Sequence, residues 1–388
     1  MLLSILIKEM IKVIIKDILK IKNKVYNTDT HIRCCLSWLA YAQSQSLDGG
    51  VPAWYRIDKG WADSFIETTG YIISTFLEGS KYFNDQSYLD KATIMADFIL
   101  DMQLSNGGFK TRVAEISEPT IFNTAQDLRG MCDIYSVTRK SKYYNSAKKA
   151  ADFLVSSQDK NGQWIKYSYD GLTHSYDSKV AYALLKFYKI SNNTRYKKAA
   201  TRALDGIVKL QLKNGWFKKA ELPGFKYPLT HTIAYTIEGL LDSGTLLGNK
   251  KYLASATKSA TALLVYYKNH GFMPASFDSI WHSSDSYSCL SGNAQISIIW
   301  LKLFLLSNKN EYLISASDMN KDLKETQDCY SANKSIFGGI KGSNPIYGNI
   351  LKNQGYCRFA YINWAAKYFS DALILESLVR KGKQTKYV

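Results

Sequence analysis

One short pattern recurs through this 388-residue chain and narrows what it can fold into. A glutamine, a few polar residues, a glycine and then an aromatic residue return at near-regular intervals. The copies read Gln45-Ser-Leu-Asp-Gly-Gly, Gln103-Leu-Ser-Asn-Gly-Gly-Phe109, Gln158-Asp-Lys-Asn-Gly-Gln-Trp164 and Gln211-Leu-Lys-Asn-Gly-Trp216. A weaker copy is Tyr267-Lys-Asn-His-Gly-Phe272, and Gln327-Asp-Cys-Tyr is a degenerate sixth. They stand 53 to 60 residues apart, room for two helices and two loops. Asn-Gly is a turn dipeptide, and a glycine just past a helix supplies the left-handed residue that ends it. With only six prolines and no Gly/Ser linker, the repeat describes one large architecture rather than two tethered domains.

Each interval holds two kinds of helix. Ahead of each turn lies an amphipathic segment such as 142–154, with apolar residues at helical spacing and lysines opposite; others begin near Ser87, Thr194, Lys251 and Glu311. These are outer helices. After each turn comes a segment apolar nearly all round, over 62–78, 121–138, 174–190, 230–247, 287–306 and 358–379, as an inner helix packed on both sides requires. The expected fold is all-α: an (α/α)6 toroid, or barrel, of six helical hairpins. The first turns of the inner helices are polar and aromatic, and polar groups buried in a bundle cost free energy unless satisfied. Their concentration at one end predicts that six helix starts ring one solvated cavity.

The domain reading is a basic amphipathic N-terminal helix over 1–28, the toroid over 29–382 and a tail over 383–388. In residues 1–24 leucines and isoleucines alternate with Lys8, Lys12, Lys16, Lys20, Lys22 and Lys24, which break any continuous apolar span. Such a helix suits an anionic membrane surface or packs on the toroid or a partner. Net charge is +17, which points to an anionic partner or to a lysine-rich composition alone. The lysines are dispersed and no nucleic-acid motif is present, so no nucleic-acid partner is expected. Six scattered cysteines without a CxxC pair predict free, mostly buried thiols in a reducing compartment. Cys289 and His282 are too isolated for a metal set, and neither a metal nor a cofactor is expected. The expected location is cytoplasmic, peripheral at the inner membrane face.

The turn pattern on alternating helices resembles the α/α-toroid superfamily of six-hairpin glycosidases, terpene cyclases and prenyltransferase β subunits. More closely, Gly60-Trp-Ala-Asp-Ser-Phe-Ile-Glu-Thr-Thr-Gly-Tyr71, Phe122-Asn-Thr-Ala-Gln126, Leu229-Thr-His-Thr-Ile-Ala-Tyr235, Gly338-Gly-Ile-Lys-Gly-Ser343 and Asn363-Trp-Ala-Ala-Lys367 resemble α/α-toroid proteins of the VpsJ type from polysaccharide-biosynthesis loci. That resemblance spans about 32–376. The Gly60-Trp61 turn is distantly similar to the C-terminal toroid of D-glucuronyl C5-epimerases. The Asp-rich motifs that cyclase and diphosphate chemistry need are absent from the sequence.

Asp63 and Glu67, at i and i+4, are expected on one face of the first inner helix. With Asp127, Asp177 or Asp285 across the cavity they form a candidate acid/base pair for glycoside hydrolysis. Carboxylates at helix starts also answer the helix dipole, and that reading stays open. His174 and His231 open inner helices and are followed by Tyr176 and Tyr235, a combination suited to abstracting a proton beside a uronate carboxylate, or held by loop carbonyls. His31 starts an outer helix and is expected at the surface; His270 and His282 receive no role. Arg129, Lys341 and Lys367 are candidates to meet an acidic sugar, Arg129 alternatively pairing with Asp127 or Asp133. Trp54, Tyr55, Trp61, Trp281, Tyr347 and Trp364 are candidates to stack on sugar rings. Tyr71, Asn123, Gln126, Tyr287, Asn293, Gln295, Tyr361 and Asn363 complete the expected binding set. The glycine-rich stretch 337–354 is expected to fold over the cavity mouth.

These features predict a carbohydrate-active protein that modifies or trims an anionic polysaccharide during its synthesis, by hydrolysis or by uronate epimerase or lyase chemistry. Two alternatives from other classes stand beside it: a non-catalytic glycan-binding scaffold of a membrane-associated assembly, and an isoprenoid cyclase.

Overall fold

The structure, a computed structural model, describes residues 2–111 and 118–382, with side chains from Glu9 onward. The expected tail lies outside the described residues. An N-terminal helix α1 (Leu2–Ile18) precedes twelve helices that alternate between two rings. The outer helices are α2 (Thr28–Gln43), α4 (Gln86–Asp101), α6 (Ser141–Ser156), α8 (Thr194–Val208), α10 (Lys250–His270) and α12 (Asn310–Thr326). The inner helices are α3 (Ile66–Phe83), α5 (Ile121–Thr138), α7 (Ser178–Ser191), α9 (Thr230–Leu247), α11 (Leu290–Ser307) and α13 (Asn363–Arg380). Each inner helix packs on the next, and α13 returns to α3, so the inner ring closes. The first outer helix, α2, pairs with the last inner one, α13, locking the two ends of the chain together. This is the (α/α)6 toroid that the repeat predicts.

The glutamine of the repeat is a staple. In three copies its side-chain amide donates to the turn glycine carbonyl and to a carbonyl of the next outer helix. Gln103 Nε2 bonds Gly107 O and Ser146 O, Gln158 Nε2 bonds Gly162 O and Ala199 O, and Gln211 Nε2 bonds Gly215 O and Ser255 O. The first copy is set two residues earlier than its motif suggests: Gln43, not Gln45, reaches Gly49 O and Lys91 O. The degenerate copy performs the same task, since Gln327 Nε2 donates to Gly338 O and to His31 O of α2. That contact closes the ring and corrects the expectation for His31. The imidazole is fully buried, with Nδ1 2.5 Å from Gln327 Oε1 and Nε2 accepting the Tyr26 amide.

Glycine sets the inner-ring spacing at the α3–α5 crossing. A Cβ on Gly130 would stand 2.2 Å from the Gly70 carbonyl oxygen, and one on Gly70 would meet the Asp127 side chain. In the turns, Gly162 holds φ +82, which disfavours any side chain. Five inner helices end on a left-handed residue, Asn84, Arg139, Asn192, Gly248 and Asn308.

Short strands tie the loops at the cavity end. β1 (Trp54–Arg56) lies between β2 (Gly60–Trp61) and β5 (Ala360–Ile362), while β3 (Ser288–Cys289) pairs with β4 (Ser343–Asn344). Helix α1 docks at the same end: Asp17 accepts from Lys341 Nζ and from the Ile346 amide, both at 2.6 Å, and Met10, Val13 and Ile14 pack on the core.

Candidate active site

A cavity of about 680 Å³ opens among the starts of the inner helices, within the size range of small-ligand sites. Helix α3 contributes Glu67, Thr68 and Tyr71; α5 gives Phe122; α9 gives His231, Thr232 and Tyr235; α13 gives Trp364. Tyr176 enters from the turn before α7. Loops add Trp54, Asp63, Tyr169, Phe225, Tyr356 and Cys357. Five inner starts therefore meet there rather than the expected six. The start of α11 is covered, because β4 pairs with the strand leading into it and Leu290 N donates to Gly342 O.

Most of the wall is aromatic. Phe122 stands edge-on to Tyr176 and close to Tyr235, and Trp364 meets both Trp54 and Tyr356. Burial holds the Tyr71, Tyr169, Tyr235 and Tyr356 phenols well above their ordinary range, so they stay neutral. Among the described residues, no lysine or arginine lines the cavity.

Two titratable groups in this wall are pushed in opposite senses. Glu67 is buried, and loss of solvation raises its carboxyl to about 8 against the weaker opposing pull of Tyr169. The Tyr169 hydroxyl donates to Asn123 Oδ1 at 2.7 Å and stands 3.5 Å from Glu67 Oε2. Burial lowers His231 to about 4, partly opposed by its hydrogen bond to Gln295. Nδ1 lies 2.5 Å from Gln295 Oε1; with that carbonyl oxygen as acceptor, Nδ1 carries the proton and Nε2 is left as a proton acceptor. At neutral pH the wall thus offers a protonated acid and a neutral base. Groups whose surroundings drive their ionisation apart in this way are the usual signature of acid/base partners.

Asp63 also lines the cavity, but it precedes α3 by three residues and is exposed, so it does not share a helix face with Glu67. Asp127 lies behind the wall against Gly70. Among the described residues neither carboxyl oxygen has a hydrogen-bond partner, and burial, then the Glu67 charge, holds the group well above the carboxylate range. His174 and Asp177 are outside the cavity. The His174 amide donates to Asp177 Oδ2 at 3.1 Å, and its ring contacts the Tyr169 carbonyl and stacks on Tyr176. Both serve the turn into α7, which starts at Ser178 and not at residue 174. Asp285 is engaged by Ser276 away from the cavity.

The cations expected to meet an acidic sugar are committed elsewhere. Lys341 pairs with Asp17, Lys367 with Asp371 at 2.6 Å, and Arg129 donates to Gln126 Oε1. Arg129, two turns into α5, and Lys367 belong to a buried charge network beneath the cavity. There Lys179 pairs with Glu238 at 2.7 Å, and Lys302 with Asp242 at 2.6 Å.

Several expected binding residues support the wall from behind. Asn363 Nδ2 bonds the Pro52 carbonyl and Thr68, Gln295 orients His231, and Asn123 receives the Tyr169 hydroxyl. Trp61 packs on Trp38, Tyr41 and Tyr55 rather than facing the cavity. Tyr287, Asn293 and Tyr361 are buried without lining it, as is Tyr55. Tyr347 does not line it, and Trp281 lies by Asn214 at a shallow outer groove. None of residues 337–354 reaches the wall; the chain just beyond, Tyr356 and Cys357, does. Tyr169, Tyr356, Cys357, Leu222, Pro223 and Phe225 are lining residues that the sequence reading passes over.

Comparison with known proteins agrees with this fold. A family model described as pectic acid lyase matches residues 110–184. No curated protein matches the chain. Among solved structures, an unsaturated glucuronyl hydrolase specific for heparin superposes with a TM-score of 0.72 at 18% identity, over 91% of this chain and 98% of that one. The unsaturated glucuronyl hydrolase of Bacillus sp. GL1, described as responsible for glycosaminoglycan degradation, gives 0.70 at 15% identity, over 92% and 97%. Cellobiose 2-epimerase from Bacillus thermoamylovorans gives 0.67 at 13%, over 88% and 95%. At such identities the likeness is one of fold.

Proposed function

We propose that the protein is a carbohydrate-modifying enzyme that works by general acid/base chemistry in the aromatic cavity. The observation that carries this reading is the pairing, in one wall, of Glu67 held as the acid with His231 held as the neutral base. Aromatic faces suit the apolar C–H faces of sugar rings, so Trp54, Tyr176 and Trp364 are read as the ring platform.

Hydrolysis is the first reading. Glu67 gives its proton to the departing glycosidic oxygen, while His231 Nε2 takes a proton from the water that attacks the anomeric carbon. Asp63, on the same cavity, is the alternative base. A second reading, epimerisation or elimination, is favoured by the neutral imidazole. His231 would remove a proton beside a carbonyl or carboxyl group, and Glu67 would supply one to the intermediate or the leaving oxygen. The epimerase and lyase likenesses support it at the level of fold.

The substrate is read as an anionic polysaccharide on the net charge of +17. With no lysine or arginine among the described lining residues, the acidic groups of such a chain would be met by lysines outside the cavity. The resemblance of 60–71, 122–126 and 363–367 to polysaccharide-biosynthesis toroids supports a synthetic rather than degradative setting in the cytoplasm. The test is incubation with acidic and neutral polysaccharides in deuterated water. New reducing ends report hydrolysis, deuterium uptake epimerisation, and ultraviolet absorbance elimination. Binding without any of these would instead support a scaffold.

A further inference from the structure

Helix α1 is held to the ring along its Met10–Asp17 side and, on the flank away from the isoleucine row, by Lys16, whose Nζ donates to the Tyr330 hydroxyl at 2.6 Å and stands 3.9 Å from Asp328. Met10, Val13, Ile14 and Asp17 face the toroid, and Asp17 alone holds two points of the 341–346 loop. The adjoining side carries Ile11, Ile15 and Ile18 at i, i+4 and i+7, which form one continuous row along a helix. They are 46%, 48% and 55% exposed, and the chain continues with Leu19 at 62% and Ile21 at 53%. Branched aliphatic residues in an uninterrupted exposed row are unusual on a monomer and mark a contact surface. Lys12 and Lys20 are exposed on α1 and just past its end, followed by the exposed Lys24, while Lys22 pairs with Glu325 at 2.7 Å. A second apolar point stands on the loop that Asp17 holds, where Ile350 and the almost fully exposed Leu351 form the tip of a turn closed by Asn349 and Gln354.

We propose that this face of α1 docks on an anionic phospholipid surface, with the isoleucine row entering the headgroup boundary and the flanking lysines meeting lipid phosphates. Charge decides between this occupant and a second copy of the chain. Two such faces brought together would set their lysines against each other within a protein of net charge +17, whereas an anionic bilayer complements them. Docking would also place the surface against the helix that holds the loop leading to Tyr356 and Cys357, and so near the cavity end of the toroid.

The experiment is flotation of the full-length protein with vesicles of phosphatidylcholine alone and of phosphatidylcholine with about one-third phosphatidylglycerol. The wild type is expected to float with the anionic vesicles only, and less so as salt rises. The triple variant Ile11→Ser, Ile15→Ser, Ile18→Ser should lose about tenfold or more of that binding while the toroid still melts in one cooperative transition, because all three side chains are about half exposed and lie outside the toroid core. Equal flotation of the variant, no preference for anionic vesicles, or light scattering that shows a dimer broken by the same triple variant would each overturn the proposal.

Discussion

His231 Nδ1 lies 2.5 Å from Gln295 Oε1, joining the cavity-lining histidine of α9 to a fully buried amide of α11. This one contact explains how α11, whose start is covered, still takes part in the site. It selects the tautomer that presents Nε2 to the cavity.

Replacing Gln295 by leucine should therefore impair catalysis without removing a group that touches substrate. The expected result is a fall in kcat of about ten- to a hundredfold with KM little changed, and rescue toward wild type by Gln295→Glu. A change in KM alone would assign Gln295 to packing.

Activity should form a broad plateau between about pH 4 and about pH 8, bounded below by protonation of His231 and above by ionisation of Glu67. Above the upper limit the rate should fall about tenfold per pH unit. Initial-rate profiles on whichever glycan is turned over check this, and Glu67→Gln should abolish the upper limb together with most of the rate.

The same residue predicts a pH dependence of stability. Its folded value of about 8 lies above the ordinary 4.5, so the unfolded chain releases this proton first as pH rises. The stability that the buried neutral acid contributes is fully present below about 4.5 and is lost progressively up to about 8. Asp177, raised to about 7 by burial, acts in the same sense. Thermal melts should show Glu67→Gln gaining on the wild type as pH rises from 5 to 8, the difference vanishing at the acid end.

The repeat glutamines give a test of the fold. Gln43→Leu should cost about 1–2 kcal/mol in urea unfolding, because two half-buried carbonyls lose their donor. Gln45→Leu, at an exposed position, should change stability by less than about 0.5 kcal/mol.

Beneath the cavity, Lys302→Met should destabilise by about 3–5 kcal/mol, since Glu238 and Asp242 would lose a buried partner. Equilibrium denaturation measures it. A near-neutral effect would mean that Lys179 alone balances both carboxylates.

The toroid was legible because its period is carried by residues with fixed local tasks. A glutamine that staples, a glycine at positive φ and a helix apolar on all sides leave little freedom. The phase of the first copy was not legible, as Gln43 and Gln45 differ only in which one faces the turn. At the site, Glu67, His231, Tyr235, Tyr71 and Trp364 could be placed because they fall in the first two turns of inner helices. Arg129 misled because it sits two turns into α5, and Lys367, no deeper than Tyr71 or Tyr235, because its ammonium is taken by Asp371 one turn on. Tyr169 and Tyr356 were missed because they lie in irregular chain, where no periodicity says which way a side chain points. Aromatic residues in the long loops before inner helices were the only available signal.

The most direct test of the acid/base account is a side-by-side assay of wild type, Glu67→Gln and His231→Gln on a panel of acidic and neutral polysaccharides in deuterated water, with glycan binding measured on the same samples. The account predicts that all three bind the same glycan, that the wild type alone turns it over at full rate, and that each variant falls by about a hundredfold or more. Binding by all three with no turnover by the wild type, or full turnover by Glu67→Gln, would contradict it.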